Sequence, residues 1–112
     1  MRMRAAVLEE FGSPLVVQEV DLAEPKAGEV LVRLAACGVC HTDLYTASGA
    51  DPTGYAPCVL GHEAVGRVVA VGSEVTTFRP GDEVYGDNLG LKGGFAEYAV
   101  APASVLAAKP AV

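Results

Sequence analysis

Tryptophan is absent from this chain, histidine occurs twice and cysteine three times. Three cysteines cannot all pair, and the odd count fits a reducing compartment and thiolate chemistry better than a disulfide framework. Basic residues are also few: eight Lys and Arg stand against fourteen Asp and Glu, for a net charge of −6. Nucleic acid and anionic membrane faces both require clustered cations, and the eight bases here are scattered, so neither is an expected partner. No uninterrupted apolar run approaches the roughly 18 to 20 residues that span a bilayer. The opening Met1-Arg2-Met3-Arg4 leads straight into strand-like sequence without the apolar stretch of a secretory leader. A soluble, cytoplasmic protein is expected.

What is present reads as globular. The 112 residues, 51% of them hydrophobic and 20% charged, allow one domain over 1–112. A domain this small leaves much of its surface exposed, so its stability is expected to be modest without a metal or a partner. Thirteen glycines and seven prolines punctuate short apolar runs. Met3 to Leu8 and Leu15 to Val20 read as strands around a Gly12-Ser13-Pro14 turn. Glu29 to Ala36 alternates so that Val30, Val32 and Leu34 share a face. Thr42 to Ala47 suits one or two helical turns, and 49–54 is loop. Glu63 to Val71, Gly81 to Tyr85, Phe95 to Val100 and Val105 to Ala108 supply further strands. Six or seven short strands and one or two short helices predict a mainly β chain, a small, partly open β-barrel. No repeat, low-complexity stretch or linker interrupts it.

Cys40-His41-Thr42-Asp43 and Gly61-His62-Glu63 carry the chemistry. Together they offer a thiolate, an imidazole and two carboxylates, the ligand set zinc accepts. If Cys40 opens a helical turn, Asp43 lies three residues on, on the same side, able to accept the free N–H of a ligating imidazole. In an extended segment His62 and Glu63 point to opposite faces, so His62 is the expected ligand, with Glu63 behind it unless the backbone bends. Gly61 and Gly66 bracket that pair and permit close backbone approach or unusual dihedrals. The Cys37-x-x-Cys40 spacing alone admits a redox dithiol or half a structural zinc site, but no second such pair follows. Cys37 and Cys58 read as small buried hydrophobes, with Cys58 a remote ligand candidate, and Phe78, Phe95 and Tyr98 as barrel core or rim. Asp51-Pro52 and Asp82 read as turn residues.

Gly-His-Glu-x-x-Gly, five residues, Gly72, two residues, Val75 resembles the zinc signature of the zinc-containing alcohol dehydrogenases in the medium-chain dehydrogenase/reductase superfamily. Cys37 to Tyr45 and Ser48 to Pro52 resemble that family's first active-site segment, close to the glutathione-dependent formaldehyde dehydrogenase branch. The resemblance covers nearly the whole chain and implies a GroES-like catalytic domain. It makes Cys40 and His62 zinc ligands and Glu63 a neighbouring carboxylate that exchanges with water. Thr42 becomes the hydroxyl that takes the substrate alcohol's proton, His41 a contact to cofactor pyrophosphate, and Asp43 the group that orients His62. Zinc would act as a Lewis acid on a small alcohol or aldehyde, with hydride passing to NAD(P).

Two departures from the family pattern shape the expectation. No G-x-G-x-x-G follows a strand, so the Rossmann cofactor domain and the family's later third ligand are expected to be missing. Gly86 to Gly94 runs directly to Phe95-Ala96-Glu97-Tyr98, as in the short-loop quinone reductase branch, so no structural zinc is expected. The sequence thus predicts an excised or designed catalytic domain, incompetent in hydride transfer alone, whose third zinc ligand comes from Glu63, Cys58 or a second copy. The alternative is a stand-alone zinc-binding or self-associating structural module.

Overall fold

The computed structural model describes residues 1–87 and 93–110. β1 (Arg2–Leu8) and β2 (Val16–Asp21) form an antiparallel hairpin, from Arg2 opposite Asp21 to Val7 opposite Val16. Alternation in β1 turns Met3, Ala5 and Val7 inward as one buried cluster. The short β4 (Cys58–Val59) pairs with the other edge of β1 and completes a three-stranded sheet in the order β2-β1-β4.

A second sheet holds the site. β3 (Glu29–Gly38) lies between β5 (Glu63–Val71) and β7 (Tyr98–Pro102). β6 (Glu83–Asp87) and β8 (Ala107–Ala108) extend it to the order β7-β3-β5-β6-β8, every pairing antiparallel. Val30, Val32, Val68 and Val84 are buried together on its inner face, and Leu34 and Phe78 pack against them. The β-branched residues that favour pleated backbone therefore also fill the core. One helix, α1 (His41–Ala47), and one 3-10 turn (Ala103–Val105) complete the described elements. No described helix is long and apolar enough to cross a membrane.

The two sheets are stitched, not merged, which is the partly open barrel anticipated above. Ala5 bridges Ala96, and the Ala6 N–H donates to the Phe95 carbonyl at 2.8 Å. Glu97 adds a side-chain clamp: its carboxylate accepts the Arg4 amide N–H at 2.7 Å, while its own amide donates to the Arg4 carbonyl at 3.1 Å. The Arg4 amide bond, helped by the Arg4 and Arg33 guanidinium charges, holds the Glu97 carboxyl below the usual carboxylate range. A depressed folded-state pKa stabilises the fold above the unfolded value, and that contribution fades as pH falls through the folded value. Urea midpoints measured from neutral pH down to about pH 3 should therefore fall less steeply for Glu97→Gln than for the parent chain.

Several boundaries move from those expected. Phe95 to Val100 is not one strand: 95–97 forms the stitch between sheets, and β7 starts at Tyr98. Val105 to Ala108 divides into the end of the 3-10 turn and β8, because Leu106 N–H bonds back to Ala103 at 3.2 Å. Counting β4, eight strands are described where six or seven were expected. A two-residue strand such as β4 has no periodicity to betray it. The expected short loop without a structural zinc lobe falls largely on 88–92 and lies outside the described residues.

Candidate metal centre

β3 ends at Gly38, and Cys40 remains extended at φ −129° and ψ 174° before the helix begins. Asp43 fixes that junction. Its buried carboxylate accepts the Cys40 amide N–H at 3.0 Å, and the Asp43 amide donates to the Cys40 carbonyl at 3.1 Å. A first-turn carboxylate also suits the positive end of a helix. At the far end Gly49, at φ 85°, closes the helix, and the Gly12 N–H reaches the Ala47 carbonyl at 2.7 Å. Replacing Asp43 with Ala should lower stability by about 1 to 2 kcal/mol in urea unfolding, with Asn recovering part of the loss.

The second arm enters β5. Gly61 takes φ 100°, a left-handed conformation, and its carbonyl and that of Leu60 each accept a 3.0 Å bond, from the Gly94 and Phe95 amides. A Cβ at position 61 would meet Phe95 Cδ1 at 2.8 Å and Cys37 Sγ at 2.9 Å. That bend delivers His62 inward, where it is buried.

The two arms converge, although 22 residues separate them in sequence. Cys40 Sγ lies 3.0 Å from His62 Nε2. One carboxylate oxygen of Glu63 joins them, all three ligand atoms lying within 4.8 Å of one another. Around a tetrahedral zinc, sulfur and nitrogen sit about 3.5 Å apart, so a small side-chain adjustment admits an ion. Three protein donors of soft, borderline and hard character, with one position left over, form a set that suits zinc of the catalytic type. The sequence reading left Glu63 either behind the ion or, if the backbone bent, a direct ligand; its carboxylate lies beside the other two donors.

The remaining singled-out residues divide. Thr42 and Asp43 line a cleft of about 400 Å³ that His62 also faces, while His41 is exposed on the first helical turn. Cys58 sits on β4 in the other sheet, away from the cluster. Cys37 is half-buried; desolvation, reinforced by the nearby Asp43, Glu63 and Cys40, pushes its thiol up, so it stays protonated and packs between Gly61 and Gly94. Asp51 acts in its turn, accepting the Thr53 amide at 2.9 Å, and is also reached by the buried Thr46 hydroxyl at 3.5 Å. One contributor was not singled out from sequence: Gly38, opposite Glu63 in the β3–β5 register. Only its place before the C-x-x-C end was visible.

The profile of the alcohol dehydrogenase GroES-like domain matches residues 26–111. The chain belongs to that family. It is 58% identical over 84 residues to alcohol dehydrogenase class-3 of Cereibacter sphaeroides and, to the same extent, to S-(hydroxymethyl)glutathione dehydrogenase of Paracoccus denitrificans. Each match takes in 75% of this chain and 22% of the relative, so the aligned part spans about a fifth of their length. An alcohol dehydrogenase superfamily protein from Novosphingobium aromaticivorans superposes with TM-score 0.90 at 40% identity, over 98% of this chain and 35% of that one. A quinone oxidoreductase from Pseudomonas syringae superposes with TM-score 0.91 at 32% identity, over 97% and 34%. The chain is thus a GroES-like catalytic domain of the zinc-dependent alcohol dehydrogenase family, and the Cys40–His62–Glu63 cluster sits within the matched region.

Proposed function

We propose that residues 1–112 form a single unit that holds the catalytic zinc of an NAD(P)-dependent alcohol or aldehyde oxidoreductase. The convergence of Cys40, His62 and Glu63 supports this reading. Cys40 and His62 would hold the ion and Glu63 would supply the third donor. When bound, zinc supplies Lewis acidity toward an alcohol or carbonyl oxygen. Thr42, on the cleft wall beside His62, would receive the substrate hydroxyl proton. His41, exposed at the helix start, would meet cofactor phosphate, and Asp43 would hold the Cys40 turn and orient the His62 ring. Nicotinamide itself would be held by a nucleotide-binding partner domain. A hydroxymethyl adduct of glutathione, named in the Paracoccus relative, is the first substrate to test. Three free cysteines fit the reducing cytoplasm as location.

Metal analysis tests the central point. After zinc loading and desalting the chain should retain about one ion. Cobalt(II) in its place should give a thiolate charge-transfer band. A chain that stays metal-free and melts at an unchanged temperature in excess zinc refutes it.

A second reading, self-association, is favoured by Val39, Leu44, Tyr45 and Tyr55, large apolar side chains exposed at or near the site. Sedimentation should then show a dimer or larger species that a charged residue at Leu44 dissociates.

A further inference from the structure

The Glu63 side chain occupies space that only a glycine at position 38 leaves empty. Gly38 and Glu63 face each other across β3 and β5. A Cβ built on Gly38 would overlap the Glu63 carboxylate oxygen Oε2 and lie 3.3 Å from Glu63 Cβ. Directly opposed Cβ atoms in a sheet normally stand about 4.5 to 5.5 Å apart. The Glu63 carboxylate comes within 4.8 Å of both the His62 nitrogen and Cys40 Sγ. It reaches them by folding over the bare Cα of residue 38.

We propose that Gly38 is a positioning residue for the metal centre, one that contacts no ion but keeps the Glu63 carboxylate turned toward Cys40 and His62. The proposal rests on the metal-holding reading above and adds to it what decides whether the third donor is available. The overlapping atom is the free end of a flexible side chain, the 3.3 Å contact to Glu63 Cβ asks the facing strands to give by only a few tenths of an ångström, and Gly38 does not have a left-handed φ, so alanine there chiefly displaces the carboxylate while the strands stay paired.

Cobalt(II) affinity, measured by chelator competition on the intact chain together with the visible d–d spectrum, provides the test. Gly38→Ala should weaken binding by about 10- to 100-fold and alter the spectrum, the range seen when a supporting group around a metal is removed. Glu63→Ala should do at least as much. The double variant should bind no more weakly than Glu63→Ala alone, because residue 38 acts only through that carboxylate. Unchanged affinity and spectrum for Gly38→Ala overturn the proposal, as does a full additional loss in the double variant. If Gly38→Ala fails to fold while the double variant folds, the clash is confirmed as one with Glu63; if both fail, the proposal is refuted. Should the parent chain take up no cobalt, the metal reading falls by itself. The steric claim is then decided by a metal-free crystal structure of Gly38→Ala, where a carboxylate still in its original place overturns it.

Discussion

Replacing Cys40 with Ser, or His62 with Ala, is expected to lower zinc and cobalt affinity by more than about a hundredfold, beyond what loss of a merely supporting group costs. Each substitution leaves two donors where the site holds three, and a catalytic zinc needs about three plus an open position. Cys40→Ser should also abolish the thiolate charge-transfer band of the cobalt form, while His62→Ala should leave a weakened one. Melting temperature offers an independent readout. Zinc at a hundred times its dissociation constant stabilises a folded chain by about 2.7 kcal/mol, an increment both variants should lose while their metal-free melting stays close to that of the parent. A variant that still binds one tight equivalent would place the ion elsewhere in the chain.

Gly66→Ala should cost about 3 kcal/mol or more of stability in urea unfolding. A Cβ there would overlap the Arg33 carbonyl oxygen and press on Val32 Cγ1 at 2.8 Å and the Arg33 carbonyl carbon at 3.0 Å. Those are mostly atoms of a paired strand, whose register shifts beside this point between Leu34 and Ala36. Backbone cannot swing aside as a carboxylate can, and herein lies the contrast with Gly38→Ala. Since a domain of this size holds only about 5 to 15 kcal/mol in total, the variant should be partly unfolded well before the parent melts. Indistinguishable urea midpoints would show that β3 and β5 tolerate a wider separation than this packing implies.

The glycines of the motif show how far sequence could be read and where it stopped. Gly61 and Gly66 were recognisable as positions needing freedom of dihedral or close approach, and one proves to be each: φ 100° at Gly61, backbone contact at Gly66. The approach of Cys40 to His62 was legible because the two motifs offer a thiolate and an imidazole to one ion. Glu63 was only half legible. Strand alternation argued that it should face away from His62, yet its carboxylate lies within 4.8 Å of the other two donor atoms, against a glycine at position 38 whose nearness appears only once β3 and β5 are placed in register. Core strands such as β1 and β3 were visible from their short apolar runs and partial alternation. The stitch at 95–97 and the two-residue β4 depend on pairing across long sequence separations, which no local pattern records.

Both arms that carry the donors grow from adjoining strands zipped together from Val30–Val71 to Gly38–Glu63. The ladder holds the two arms side by side whether or not anything is grasped. Chelation and reloading should therefore cycle without a refolding step, making the ion an exchangeable tool in a standing frame, unlike a zinc finger, where removing the metal dissolves the fold.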